Sequence, residues 1–246
     1  MISKWLKKIG VFVFAVVTFT AAHAQQGVTP INPPQPVEND GKVEVLEFFA
    51  YGCIHCANLE PSLEAWAKKQ PSDVKLKRIP SPAAIMGIDS TVIFYSLEAL
   101  GQLDRLHAKI FEAVHLEKVT LGNPALLNKW LEKNGVDPKK YEEAQKSFSV
   151  VTKVKRAYKM VEDYKINATP TMVVNGRYLL EQGVTGAPAM FANVDQLIAQ
   201  ARATLKTAVA PATAPVPVAT KNDVKKAITA TAKKPVLRLP ERNAGM

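Results

Sequence analysis

The chain has 246 residues, 47% of them hydrophobic and 22% charged, with two cysteines and a formal charge of +10. Most of that charge lies at the ends: three lysines in the first 24 residues and an excess of five cations from Thr207 onward leave about +2 for residues 25–206. A near-neutral middle gives no electrostatic case for nucleic-acid binding, and two cysteines are too few to staple a small domain.

The N-terminus reads as an export signal. Lys4, Lys7 and Lys8 precede the apolar stretch Ile9 to Phe19, which is too short to span a membrane, and Ala22-His23-Ala24 gives the small-x-small cleavage pattern. Residues 1–24 are therefore expected to be removed, with the mature chain starting near Gln25 in an oxidising compartment, the periplasm. No later stretch is apolar enough to cross a bilayer. The remaining 180 or so residues before the tail suffice for one hydrophobic core.

Residues 25–40, with Pro30, Pro33, Pro34 and Pro36, read as an extended lead-in. Val43 to Phe49 is a β-branched and aromatic run of buried-strand type. A helix to about Lys69 follows, with Leu59, Leu63 and Trp66 on one face and Pro61 interrupting it. Val74 to Ile79 is the second strand of a β-α-β unit. Four helical patterns come next: Ser90–Leu100, Gln102–His115, one from Asn123 as N-cap through Pro124 to Gly135, and a short one opening at Asp137-Pro138. A longer helix covers Ser147 to Tyr164. Thr171–Val174 and Arg177–Leu180 flank Asn175-Gly176, a hairpin signal, and a last amphipathic helix covers Met190 to Leu205. The order predicts an α/β, thioredoxin-like fold: residues 41–82 and 147–206 form the thioredoxin part, and 83–146 form an inserted helical domain. From Thr207 to Met246 the Ala, Pro, Thr and Lys composition predicts a disordered tail.

The chemistry centres on Cys53-Ile54-His55-Cys56, between a buried strand and a helix start. Exchange with a disulfide needs a thiolate, and a helix N-terminus offers free amides and partial positive charge to hold one. His55, between the sulfurs, can add a donor or a positive charge. A bridge between Cys53 and Cys56 closes almost no loop and is poor as a staple, so the pair reads as redox-active. A zinc-type site lacks a clear fourth ligand, since His107 and His115 fall in the helical block as core or surface residues. A copper-carrying thiol module remains a rival, with Met172 as its one candidate soft ligand.

Val45-Leu46-Glu47-Phe48-Phe49 followed by Gly52-Cys53-Ile54-His55-Cys56, with Thr169-Pro170 later, resembles the DsbA family of periplasmic disulfide oxidases over residues 38–206, the helical insert included. Ile54 stands where proline is common in that family, at a position that tunes redox poise. The resemblance implies a thiol:disulfide interchange protein that donates its disulfide to newly exported, unfolded, cysteine-containing proteins, is reoxidised by a DsbB-type membrane quinone reductase, and uses no metal or organic cofactor. It implies that Cys53 is the exposed nucleophile and Cys56 its buried partner. It further implies that Pro170 is a cis-proline opposite the pair, holding the Thr169 backbone open for a substrate strand, with loose selectivity from an apolar groove around Cys53, Thr169 and Pro170. Glu47, by strand alternation on the face of Val43, Val45 and Phe49, is expected to be a buried acid that shuttles the proton of Cys56. A solvated edge glutamate is the competing reading. A reductase or isomerase on the same fold is the second rival, although residues 25–40 are too few for the dimerisation domain isomerases carry. A monomer is expected.

Overall fold

Alternating apolar residues on either side of one central strand dictate the architecture. The computed structural model describes residues 27–38, 40–83, 85–182 and 186–209, with side chains through residue 205. The leader and the tail beyond residue 209 lie outside the described residues.

Strand β2 (Val43–Phe49) is buried along its whole length. It pairs in parallel with β3 (Val74–Pro80) and antiparallel with β4 (Thr171–Val174). β4 pairs antiparallel with β5 (Tyr178–Glu181), which carries β1 (Val28–Pro30) on its outer edge, giving the order β1-β5-β4-β2-β3. A parallel pair needs a crossover helix, and α1 (Ile54–Ala67) supplies it. Beyond a 3-10 turn (Ile85–Gly87) come α2 (Ser90–Ala99), α3 (Leu103–His115), α4 (Pro124–Lys133) and α5 (Pro138–Lys146), then α6 (Phe148–Asp163). After the hairpin, α7 spans Gly186–Val209.

Two cores flank the sheet. Val43 and Val45 pack with Leu59, Leu63 and Trp66 of α1 and with Met190, Val194 and Leu197 of α7. Leu46 and Phe48 point the other way, into a cluster built with the helical insert and with Ala157 of α6. A strand buried on both faces has no polar side to spare, so each polar residue on it needs a specific partner.

Side-chain caps open four of these helices. Asp89 accepts from the Thr91 and Val92 amides, Asn123 from Ala125 and Leu126, Asp137 from Lys139, and Ser147 from Val150, satisfying donors a helix start leaves free. Several boundaries differ from expectation. The lead-in forms a strand, β1. Its lock is the turn at Asn175 and Gly176, both at positive φ, where the Gly176 amide carbonyl accepts from Gln35 N at 2.9 Å. The hairpin's return strand begins at Tyr178, one residue late. Pro61 sits within α1, which runs on through it. α7 starts before Met190 and reaches Val209.

Candidate functional site

Both cysteines are held by the strand–loop–helix junction. Cys53 is the N-cap of α1, with extended backbone (φ −87, ψ 115) and no side-chain cap. Its amide donates to Ala50 O at 3.0 Å and its carbonyl accepts from Ala57 N at 3.1 Å. Gly52 has no room for a side chain: a Cβ there would fall on the Ile85 carbonyl. The Ile85–Gly87 turn therefore presses against the motif, and beside it Ile54 and Met86 lie exposed, 47% and 59%. Cys56, one turn in, is fully buried (0%), whereas Cys53 keeps 8% of its surface in water.

Both are free thiols, and their acidities are pulled apart. The neighbouring Cys56 thiol, the Thr169 side chain and the Cys56 and His55 amides stabilise a Cys53 thiolate against burial, lowering its pKa from 9.0 to about 5. Burial first, then the Cys53 sulfur beside it, pushes the Cys56 thiol far up. Thus Cys53 is the group that ionises at neutral pH. Of His55, which is exposed, it is the amide that reaches the Cys53 sulfur.

The Thr169–Pro170 bond is cis, and it brings the loop before β4 over the pair. The Cys53 thiol donates to Thr169 O at 3.2 Å. That contact belongs to the protonated form, since a carbonyl has nothing to give a thiolate. Once Cys53 ionises, the Thr169 carbonyl is left for another donor.

Glu47 is buried (1%), which rules out the edge reading. The register explains its surroundings: Glu47 lies directly beside Arg78 on β3 and Met172 on β4. Arg78 Nε is 3.4 Å from Glu47 Oε2, so the acid has a cation near it, but neither atom is aligned for a hydrogen bond. The same guanidinium donates from Nη2 to Glu60 at 3.0 Å and to Glu64. Burial dominates at Glu47, and with Glu60 and Glu64 it outweighs Arg78, raising its pKa to about 8. Met172 is fully buried beside Glu47. Phe49, expected on the Glu47 face, turns into the other core with Tyr51 and Phe94, because the strand ends there.

Composition and periodicity did not reveal what surrounds Tyr51, two residues before Cys53. Its amide donates to Ser90 Oγ at 2.8 Å, its carbonyl accepts from His115 Nε2 at 2.8 Å, and its hydroxyl meets His107 Nδ1 at 2.9 Å. His107 Nε2 in turn lies 3.5 Å from Glu60 Oε2, an ion-pair distance. The one available signal was the pair of histidines eight residues apart on an otherwise amphipathic helix. Glu60, Arg78 and His107 also line a cleft between β3 and the helical insert.

The chain matches the family model described as "DSBA-like thioredoxin domain" over residues 86–210. It is 42% identical over 186 residues to the thiol:disulfide interchange protein DsbA of Bordetella parapertussis, covering 74% of this chain and 88% of that one. It is 35% identical to the protein of the same name in Pseudomonas aeruginosa, covering 72% and 84%. Among solved structures it is similar to Pseudomonas aeruginosa DsbA (TM-score 0.68, 33% identity, 73% of this chain and 94% of that one). It is also similar to the oxidoreductase NmDsbA1 of N. meningitidis (TM-score 0.63, 31% identity, 74% and 94%).

Proposed function

We propose that this chain, which belongs to the DSBA-like thioredoxin domain family and is a protein dithiol:disulfide oxidoreductase, acts in the periplasm as a disulfide donor to newly exported, unfolded proteins. The observation that carries this reading is the placement of the pair: Cys53 caps α1 beneath the Thr169 carbonyl and still meets water, whereas Cys56 is fully buried, so Cys53 ionises easily and Cys56 does not.

In the oxidised protein a substrate thiolate attacks Cys53 Sγ. The Cys53–Cys56 bond breaks, and Cys56 leaves as a thiolate. Buried as it is, that sulfur must take up a proton, and neutral Glu47, close enough to act on it electrostatically, is the acid we assign to supply it. The substrate's second thiolate then attacks the substrate sulfur of the mixed disulfide and expels Cys53. Two substrate thiols are oxidised, and the Cys53/Cys56 pair takes up the two electrons. A leaving thiolate of low pKa departs faster, so the stabilised Cys53 favours release of the oxidised substrate. Thr169 O, which takes the Cys53 proton contact only in the reduced thiol, has no such donor in the oxidised protein and is assigned to pair with an extended substrate backbone in the manner of strand addition. Pro170 holds that loop, and exposed Ile54 and Met86 supply apolar surface beside it. His55 is assigned a supporting role at the Cys53 thiolate. The catalyst is the chain's own disulfide, with neither metal nor organic cofactor. Its reoxidation falls to a DsbB-type membrane quinone reductase, and the protein acts as a monomer.

The test is the equilibrium redox state of Cys53 and Cys56 in glutathione buffers. A potential well above that of thioredoxin is expected. A thioredoxin-like value would mean that Ile54 has blunted the oxidant and that the chain is a reductase on the same fold.

A further inference from the structure

Arg78 is one cation among three carboxylates, and how it is shared decides the state of the acid beside Cys56. Its Nη2 is committed to Glu60 and Glu64 on α1, which leaves Glu47 only the misaligned Nε at 3.4 Å. That division holds only while Glu60 is a carboxylate. Glu60 is buried at 4% exposure, where a lone charge is costly. Besides Arg78, His107 lies beside it, reaching in from α3.

We infer that His107 is a positioning residue for the redox reaction: by holding Glu60 ionised it keeps Arg78 turned away from Glu47, so that Glu47 stays a neutral acid next to Cys56. The geometry sets the direction of every contact. Nδ1 accepts from the Tyr51 hydroxyl at 2.9 Å, which puts the imidazole proton on Nε2, 3.5 Å from Glu60 Oε2; neither of those two atoms has a hydrogen-bond partner, so His107 acts on Glu60 electrostatically across that gap. Burial keeps that hydroxyl protonated, its pKa well above the usual value, so Tyr51 is the donor. Despite the penalty of burial, the imidazole and Arg78 together hold Glu60 below the ordinary carboxyl range. The groups that act on Glu47 are thus Arg78 from β3 and Glu60 and Glu64 from α1, with Cys56 and Tyr51 feeling its charge in turn and His107 acting at one remove from α3. Take His107 away and Glu60 neutralises. Arg78 then swings onto Glu47 and ionises it, and the proton is gone before Cys56 needs it. The inference rests on the proton-donor reading of Glu47, and it adds that the inserted domain controls that donor.

The experiment follows the Glu47 carboxyl directly, by carbon-13 NMR of the reduced full chain labelled at glutamate, with the resonance assigned by its loss in Glu47→Gln. His107 sits among Phe49, Tyr51, Phe94 and Phe111, with ring centroids 5.1–5.9 Å away, so His107→Phe suits the cage but gives Glu60 nothing. It is expected to raise the acid dissociation constant of Glu47 about tenfold. His107→Gln, which can still accept from Tyr51 and donate to Glu60, should retain the wild-type midpoint. Glu60→Gln should reproduce the His107→Phe shift, and the double variant should add nothing to it. An unmoved or upward midpoint in folded His107→Phe overturns the inference, as does a failure of Gln to rescue. Should His107→Phe not fold, His107→Leu takes its place under the same criterion, and a Glu47 midpoint unmoved or raised there overturns the inference. Unchanged oxidation rates in Glu47→Gln would remove the proton-donor reading alone, because the midpoints still judge His107.

Discussion

At Cys53 and Glu47 two ionisable groups on the same strand–loop–helix junction have been pushed in opposite directions. For Cys53 the depressed pKa gives a direct prediction: thiolate ultraviolet absorbance of the reduced protein should titrate with a midpoint of about 5, and Cys53→Ser should abolish that transition. A midpoint near 9.0 would remove the basis for its role as leaving group. For Glu47 the sign runs the other way. Its folded pKa of about 8 lies above the unfolded 4.5, so the native state holds an extra proton between those values. The stability this confers is complete below the unfolded pKa and is lost as pH rises through the folded one. Glu47→Gln has no proton to lose, so it should gain on the wild type by up to about 3 kcal/mol as pH rises from about 5 to 8, read by urea unfolding. Parallel pH profiles would mean that Arg78 already ionises Glu47. Neither residue's environment was fully legible in the sequence. Alternation alone put Glu47 in the interior, but its cation came from strand register, which pairs Glu47 with Arg78 across 31 positions and has no local signature. His107 and Tyr51 are 56 residues apart, and nothing in helical periodicity says which residue a buried histidine will face.

Elements were easier to read than their joins. Capping and proline placement announced α4 and α5, because those signals act within one turn and tertiary context reinforces them. The missed strand β1 is three residues long, ends in proline and lies on an edge, where a residue without an amide donor is tolerated. Its formation depends on a join. At Gly176 the backbone has φ +64, and a Cβ would fall on the Gln35 carbonyl. Gly176→Ala must therefore strain the turn and push the lead-in away, at a cost of about 1–3 kcal/mol, with amide exchange accelerating first at Val28 and Thr29. Unaltered exchange there would mean that β1 is held by its strand pairing alone. Gly52 is the corresponding join at the site, with Ile85 O in the place of Gln35 O. Gly52→Ala should lower the oxidation rate as well as stability, because what it displaces borders the Cys53 loop.

For the molecule as a whole, the fold couples its stability to the state of one bond. In the oxidised form neither sulfur titrates, whereas in the reduced form the folded chain stabilises a Cys53 thiolate that the unfolded chain does not. A depressed pKa contributes stability above the unfolded value and loses it as pH falls through the folded value of about 5. At neutral pH, with allowance for the solvent still reaching the sulfur, that is about 2 kcal/mol in favour of the reduced fold. Glu47 and the surface carboxylates titrate in both forms, so they largely cancel in the difference. Urea unfolding of the oxidised and reduced proteins across a pH series should show the reduced form losing about 2 kcal/mol relative to the oxidised one as pH drops below 5, while Cys53→Ser shows no such loss. Equal pH slopes for the two redox forms would sink the idea. By the thermodynamic cycle linking folding and reduction, the same quantity appears as about 40 mV in the reduction potential. The helix start, the Cys56 thiol and the Thr169 loop that tame the Cys53 charge therefore also make the folded protein more stable after it has given its disulfide away than before. That difference is the driving force for donation.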